Sequence, residues 1–438
     1  MKQIVLSAAT LALLLLPATR TWADELVELK EQLEVQQQLM QQMQERLAQL
    51  EARQRLKERS LNDKIAEVSK QAEAAQKSAP GGLPASLSWA ENIKWSGDFR
   101  YRHEHIDAEE TNSPVGWANG RDRHRIRARL MIESVINDEW GVGFRLASGS
   151  SDSPTSTNQT LENSFESKDL WLDLAYFDYK PASMPGLKVT GGKIKNPFYK
   201  VGKNQLIWDG DLNPEGIAFS HTRDLSDTDQ LVVNGGGFWI DEDSGIDTSL
   251  WGIQAYWKRE IGNPDTIIAG ASFFDYGNIE GENPAGVALT GNTPHPANAA
   301  NYASDFNILE LFAEYGTEIS GLPFSIYGNW ANNTHAATSE DTGWLVGAML
   351  GKAKDPGSWQ LGYNYRVIEA DAVVGGLNDS GFINGGTGGR GHKFSCAYQI
   401  AKNVQGALTY LHNEDDSTSS TKDLDYRRLQ ADLVIKFK

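Results

Sequence analysis

The stretch Arg121-Asp122-Arg123-His124-Arg125-Ile126-Arg127-Ala128-Arg129-Leu130-Met131-Ile132 decides the fold. Arginine recurs at every second position, and Ile126, Ala128, Leu130 and Ile132 alternate with the later arginines. Period two marks a β-strand, whose successive side chains point to opposite faces. All five arginines therefore share one face. If the apolar face meets lipid, the basic face must line a wet interior, because an arginine turned toward lipid at mid-depth costs about 2–4 kcal/mol.

The same alternation extends outward in both directions. Upstream, Ile93, Trp95, Phe99 and Tyr101 alternate with Lys94, Ser96, Asp98, Arg100 and Arg102, a partner strand that enlarges the basic wall. At the chain's end, Leu429, Ala431, Leu433, Ile435 and Phe437 alternate with Arg428, Gln430, Asp432, Val434 and Lys436. Between them lie strand candidates at 140–148, 170–180, 187–195, 215–222, 230–240, 250–258, 266–276, 305–315, 323–331, 343–351, 358–369, 389–400 and 404–413. With 93–105, 121–135 and 426–437 they number about 16, an even count as single-chain bacterial barrels require. Strand 170–180 stays ambiguous: Leu170, Leu172 and Leu174 mark one outward face, Ala175, Phe177 and Tyr179 the other. Connections after strands 2, 4, 8, 10, 12 and 14 are short and turn-like (Asn137-Asp138-Glu139, Gly321-Leu322, Lys402-Asn403), while those after odd strands are mostly long and polar. Such sorting is expected of an outer-membrane barrel. The expected fold is all-β: a transmembrane antiparallel β-barrel of about 16 strands over 93–438, preceded by an α-helical coiled coil.

Composition agrees. Residues 1–23 have the build of a secretory signal peptide, with Lys2, an apolar run from Ile4 to Leu16 and small residues at Thr21 and Ala23. Beyond them no apolar stretch approaches the roughly 18 residues of a spanning helix. The 42 glycines, with 13 Trp, 14 Tyr and 15 Phe, fit a closed barrel, the other structure that satisfies its backbone in lipid. A formal charge of −17 argues against a nucleic-acid partner. Cys396 is the one cysteine, so no intrachain disulfide and no thiolate metal site forms.

Residues 24–76 contain neither Gly nor Pro and carry a heptad. With Leu26 at position a, the a series runs Leu26, Leu33, Met40, Leu47, Gln54, Leu61, Val68, and the d series Leu29, Gln36, Met43, Leu50, Lys57, Lys64, Gln71. One helix cannot bury such a seam, so a self-associating periplasmic coiled coil about 75 Å long is expected. The seam does not decide between two strands and three. Residues 77–92, with Pro80-Gly81-Gly82 and Pro84, read as a linker.

Two constellations carry chemistry. The expected pore lining takes Arg100, Arg102, Arg121, Arg123, Arg125, Arg127 and Arg129, joined by Lys193 and Lys195 at the end of strand 187–195. Such a wall focuses anions in a low-dielectric pore, or simply solvates a wet lumen in a ladder of salt bridges. The second is the loop between strands 187–195 and 215–222. With Phe198, Leu206, Ile207 and Trp208 it is too apolar for an exposed tip, so it is expected to fold inward, presenting Asp209, Asp211 and Glu215 to the arginines. Asp209, Asp211, Asn213 and Glu215 also resemble the start of a calcium loop, but Pro214 stands where Gly is needed and Ser220 where Glu is needed. Neither a metal nor a cofactor is expected. Gly-x-Ser-x-Gly and His-Glu-x-x-His are absent, so no enzyme is expected.

Trp95-Ser96-Gly97-Asp98-Phe99-Arg100-Tyr101-Arg102, the arginine ladder, Asp173-Leu174-Ala175-Tyr176, Gly192-Lys193 with Asn196-Pro197-Phe198, and Trp208-Asp209-Gly210-Asp211-Leu212-Asn213 resemble the putative porin family of Gram-negative outer membranes, from about Ile93 to Lys438. The layout is also similar to that of phosphate-selective porins, whose motifs have no residue-by-residue match here. The resemblance implies passive transport through an outer-membrane channel. The reading is diffusion of ions and small hydrophilic solutes through a homotrimer in outer-membrane lipid, with the coiled coil in the periplasm. The alternatives are a structural anchor whose coiled coil tethers the membrane to peptidoglycan, and a receptor acting through loops such as 277–304.

Overall fold

The computed structural model describes residues 90–109, 120–149, 153–416 and 424–438. The signal peptide expected over 1–23, the coiled coil over 24–76 and nearly all of the linker lie outside them.

Among the described residues, sixteen long strands follow one another: β1 (Ile93–Ala108), β2 (Arg121–Val135), β3 (Trp140–Ser148), β4 (Leu170–Tyr179), β5 (Leu187–Lys193), β6 (Glu215–Asp224), β7 (Asp229–Asp241), β8 (Thr248–Glu260), β9 (Thr266–Gly277), β10 (Phe306–Ile319), β11 (Leu322–Asn333), β12 (Thr342–Gly351), β13 (Trp359–Ile368), β14 (Gly389–Ala401), β15 (Val404–Asp415) and β16 (Leu424–Phe437). Each pairs antiparallel with the next, and β16 pairs with β1 from Gly97 opposite Phe437 to Ala108 opposite Tyr426, closing the ring. Closure removes the unpaired edges that an open sheet would expose. At this seam an added Cβ on Gly97 would stand 2.4 Å from the Phe437 ring and 2.2 Å from the Arg129 carbonyl, so only glycine fits under the last aromatic. A two-residue strand, Gln159–Thr160, joins β2 at Arg125 and Ile126, and a small hairpin sits in the loop after β9.

The period-two pattern becomes two faces. Trp95, Phe99 and Tyr101 on β1, and Leu429, Leu433, Ile435 and Phe437 on β16, are exposed on the outside. Their neighbours Glu104, Arg127, Arg428 and Gln430 are buried inside. The ambiguity of β4 has a physical origin. Its register against β3 slips, Arg145 facing Leu174 while Leu146 faces Leu172, so Asp173 is an extra residue. The bulge turns Asp173 and Leu174 both inward, and outward residues switch from Leu170 and Leu172 to Phe177. Two apolar alternations of opposite phase therefore meet at one bulge.

Loops sort by end as well. Those at 136–139, 225–228, 320–321 and 402–403 are tight, whereas 149–169, 194–214, 278–305 and 369–388 are long. The long ones do not simply project outward. Phe198, Val201, Leu206, Ile207 and Trp208 of 194–214 join Ile279, Val287 and Tyr302 of 278–305 and Val373, Leu377, Phe382 and Ile383 of 369–388 in one buried cluster with Phe238, Phe274, Phe306 and Leu345 of the strands. This half of the barrel is thus filled by loop side chains. The polar wall of β16, β1 and β2 stays apart from that cluster.

Candidate functional site

Register places the basic residues in a block. Arg100 stands opposite Arg127 and Arg102 opposite Arg125 across the β1–β2 pair, and Arg102 faces Asp432 on β16. Repulsion among them is relieved by carboxylates from the same strands. Asp98 accepts from Arg127 at 2.7 Å and from Arg129 at 2.8 Å. Asp432 takes Arg102 in a two-pronged pair at 2.6 and 2.7 Å. Glu104, fully buried, gathers Arg428 at 2.8 Å, Arg102 at 3.3 Å, Arg125 at 3.9 Å and Arg123, and also accepts from Gln430 at 3.1 Å.

Facing this wall is the loop 194–214. Asn196 opens it by capping the Phe198 amide at 3.0 Å. Gln254 of β8 then clamps Tyr199, accepting from its N–H at 2.7 Å and donating to its carbonyl at 3.1 Å. At Gly202 the backbone turns with φ of +54°, and a Cβ there would stand 2.3 Å from the Tyr327 ring. Trp208 packs on Phe274 and Phe198 at centroid distances of 4.4 and 5.1 Å and donates its Nε1–H to the Tyr276 hydroxyl at 3.0 Å. That anchor delivers Asp209 and Asp211 next in sequence. Asp211 lies 3.4 Å from Arg129 and 4.0 Å from Arg127, and accepts from the Thr157 hydroxyl at 3.1 Å.

A second inward loop, 369–388, completes the rim. The Leu377 carbonyl accepts from the Asp209 N–H at 2.9 Å, and Asp209 accepts from the Ser380 N–H at 2.9 Å. Asp379 is paired with Arg366 of β13 at 2.8 Å and Lys393 of β14 at 3.3 Å, while Arg428 donates to the Ser380 carbonyl at 3.0 Å. Between wall and loops lies a cavity of about 210 Å³, with Arg100, Arg102, Arg125, Arg127 and Arg428 on one side and Asp209, Asp211 and Asp379 on the other.

The three acids differ in proton affinity. Burial pushes Asp209 up to about 6, with the Asp379 carboxylate adding to the push. Burial also opposes charge on Asp211 and Asp379, yet Arg127 and Arg129 hold Asp211 below its ordinary range, and Lys393 and Arg366 hold Asp379 well below it.

The family model for a putative porin matches residues 107–309 and 325–437, most of the chain. The chain belongs to the putative porin family. Among solved structures, the porin is similar in fold to OprB of Pseudomonas putida in its high-pH structure, at 10% identity and a TM-score of 0.52, covering 80% of this chain and 96% of that one. An engineered triple mutant of the Rhodopseudomonas blastica porin matches at 12% identity and a TM-score of 0.45, covering 79% of this chain and all of that one. No curated relative matches.

In this porin the residues singled out from the sequence divide into groups. Arg100, Arg102, Arg125, Arg127, Asp209 and Asp211 line the cavity. Arg123 and Arg129 lie in the same block, paired to Glu104 and to Asp98 and Asp211. Arg121 opens β2, opposite Ile106. Glu215 does not stand across from the arginines: it begins β6, largely exposed, in a pair with Lys193 at 2.6 Å. Lys195 lines a separate cavity of about 200 Å³ with Tyr176, Asp178 and Lys188. The side chains of the calcium-like run diverge to different partners: Asp211 pairs with Arg129, Glu215 with Lys193, and the Asn213 amide N–H donates to Asp173 at 2.7 Å.

Sequence reasoning missed Glu104, Arg428, Lys393, Arg366 and Asp379. Arg428 was legible as a lumen-phase residue of the last strand. The loop 369–388 carried the signal used for 194–214, since Val373, Val374, Leu377, Phe382 and Ile383 are too apolar for an exposed tip.

Proposed function

We propose that this outer-membrane porin passes ions and small hydrophilic solutes by diffusion through the constriction between the β16–β1–β2 basic wall and the loops 194–214 and 369–388. The observation that carries the reading is the juxtaposition of five guanidiniums and three carboxylates around one cavity of about 210 Å³. Opposed charges on low-dielectric walls focus a transverse field and orient solutes as they cross. The basic excess favours anions. Purified protein in a planar bilayer under a salt gradient is expected to give stepwise openings with a reversal potential on the anion side; a folded, heat-modifiable barrel without openings would refute the channel.

The field has a titratable member. Asp209, charged above about pH 6 and neutral below it, opposes anions only in its charged form. Anion preference is therefore expected to rise as pH falls from 7.5 to 5, and Asp209→Asn to hold the low-pH value throughout. A wild-type reversal potential that stays level across this range would show that Asp209 does not face the permeation path.

The roles expected of residues 24–76, trimer assembly and tethering to peptidoglycan, are separate proposals resting on the heptad. Deleting residues 24–84 should leave single-channel conductance unchanged while weakening the envelope; lost conductance would place the segment in the channel itself.

A further inference from the structure

The arginines around the cavity are not equivalent. Arg102, Arg127 and Arg428 each have a carboxylate oxygen within 2.8 Å. Among the described residues Arg125 has only Glu104 at 3.9 Å, an oxygen already shared with Arg123. Among the described residues Arg100 makes no ion pair; it donates to the Asn158 side-chain oxygen. Arg125 likewise relies on neutral acceptors, the Asn158 carbonyl at 3.2 Å and the Ser156 hydroxyl at 3.4 Å. The Nε of both guanidiniums is buried without a partner among the described residues. A guanidinium carries five donors and a permanent charge, and removing it from bulk water without a counter-charge is costly. Both side chains line the cavity, diagonal to each other across the β1–β2 register, with Asn158 lining it between them.

We infer that Arg100 and Arg125 form a stop for a single small carboxylate within the constriction, where the neutral oxygens of Ser156 and Asn158 keep the two guanidiniums in place. This rests on the channel reading above and names the solute class that the channel holds as it passes. The forked donors of arginine match a carboxylate two-pronged and charge-assisted. Size limits the ligand to a small one, since the cavity measures about 210 Å³. Charge limits it too. Asp209, Asp211 and Asp379 face the arginines across the cavity, which Lys393 also lines, and a monocarboxylate brings less charge against these acids than a phosphate dianion does.

A stop differs from a merely basic wall in one measurable respect, because a binding step saturates. Single-channel conductance of the full-length protein is to be followed in potassium acetate, chloride and phosphate over rising concentration. Acetate conductance is expected to level off, at lower concentration than chloride or phosphate. In R100Q/R125Q the half-saturating acetate concentration should rise tenfold or more, on the order of what charged hydrogen bonds contribute. R100K/R125K keeps the charge and loses the fork; it should retain anion preference yet shift acetate saturation in the same direction. Linear acetate conductance in the wild type would overturn the stop and leave the porin reading intact. Phosphate saturating below acetate would overturn the carboxylate assignment, and unchanged saturation in R100Q/R125Q would overturn the residues. Absence of conductance in every salt would overturn the channel reading itself.

Discussion

Replacing Glu104 by Gln is expected to lower the stability of the barrel by about 3–5 kcal/mol, the range for removing one partner from a buried ionic cluster. The reason is geometric. Glu104 is fully buried, and its two oxygens hold Arg428 at 2.8 Å, Arg102 at 3.3 Å and Arg123, with Arg125 at 3.9 Å. Glutamine keeps the shape and the Gln430 contact but removes the counter-charge, so the guanidiniums around it repel in a low-dielectric setting. A urea titration read by heat-modifiable gel mobility should show the loss as a lower midpoint with an unchanged slope. Glu215→Gln serves as comparison, because its pair with Lys193 is largely exposed and worth about 0–1 kcal/mol. Equal midpoints for Glu104→Gln and wild type would mean that water, rather than Glu104, neutralises the cluster.

Trp208→Ala is expected to undock the loop 194–214, because a buried tryptophan cut to alanine costs about 3–5 kcal/mol. Trp208 packs on Phe274 and hydrogen-bonds Tyr276, both of β9, and Asp209 and Asp211 follow it closely. Loss of the anchor removes both acids from the rim and widens the gap in front of the arginines. Conductance should increase and selectivity move further toward anions, with little change in the global unfolding midpoint, since the strand ladder does not depend on the loop. Trp208→Phe, which keeps the ring and loses the Tyr276 hydrogen bond, should fall between. Conductance equal to wild type in Trp208→Ala would show that Phe198, Leu206 and Ile207 suffice to hold the loop.

These two residues mark different depths of legibility. Trp208 and its neighbours were readable because a run of large apolar residues between two strands cannot stay in water. Glu104 was not: it is one acid among lumen-phase residues of β1, and nothing local tells it from Asp98. Its partners lie far along the chain, Arg428 being 324 residues away, and come within reach only when β16 closes on β1.

What the sequence determined by itself is what depends on neighbouring residues: the period of two, the lipid and lumen faces of most strands, the sorting of turns from long loops, and the inward fold of 194–214. Desolvation acts on each of these locally, since an arginine or a leucine on the wrong side is costly wherever the strand lies in the barrel. Only the tertiary structure decided the rest. The bulge at Asp173 is set by pairing with β3, and the second rim loop, 369–388, by the wall it packs on. Arginines of one ladder, identical in sequence pattern, differ in whether a carboxylate reaches them. Counter-charges act through space over a few ångströms, and which groups come that close is settled by ring closure and register.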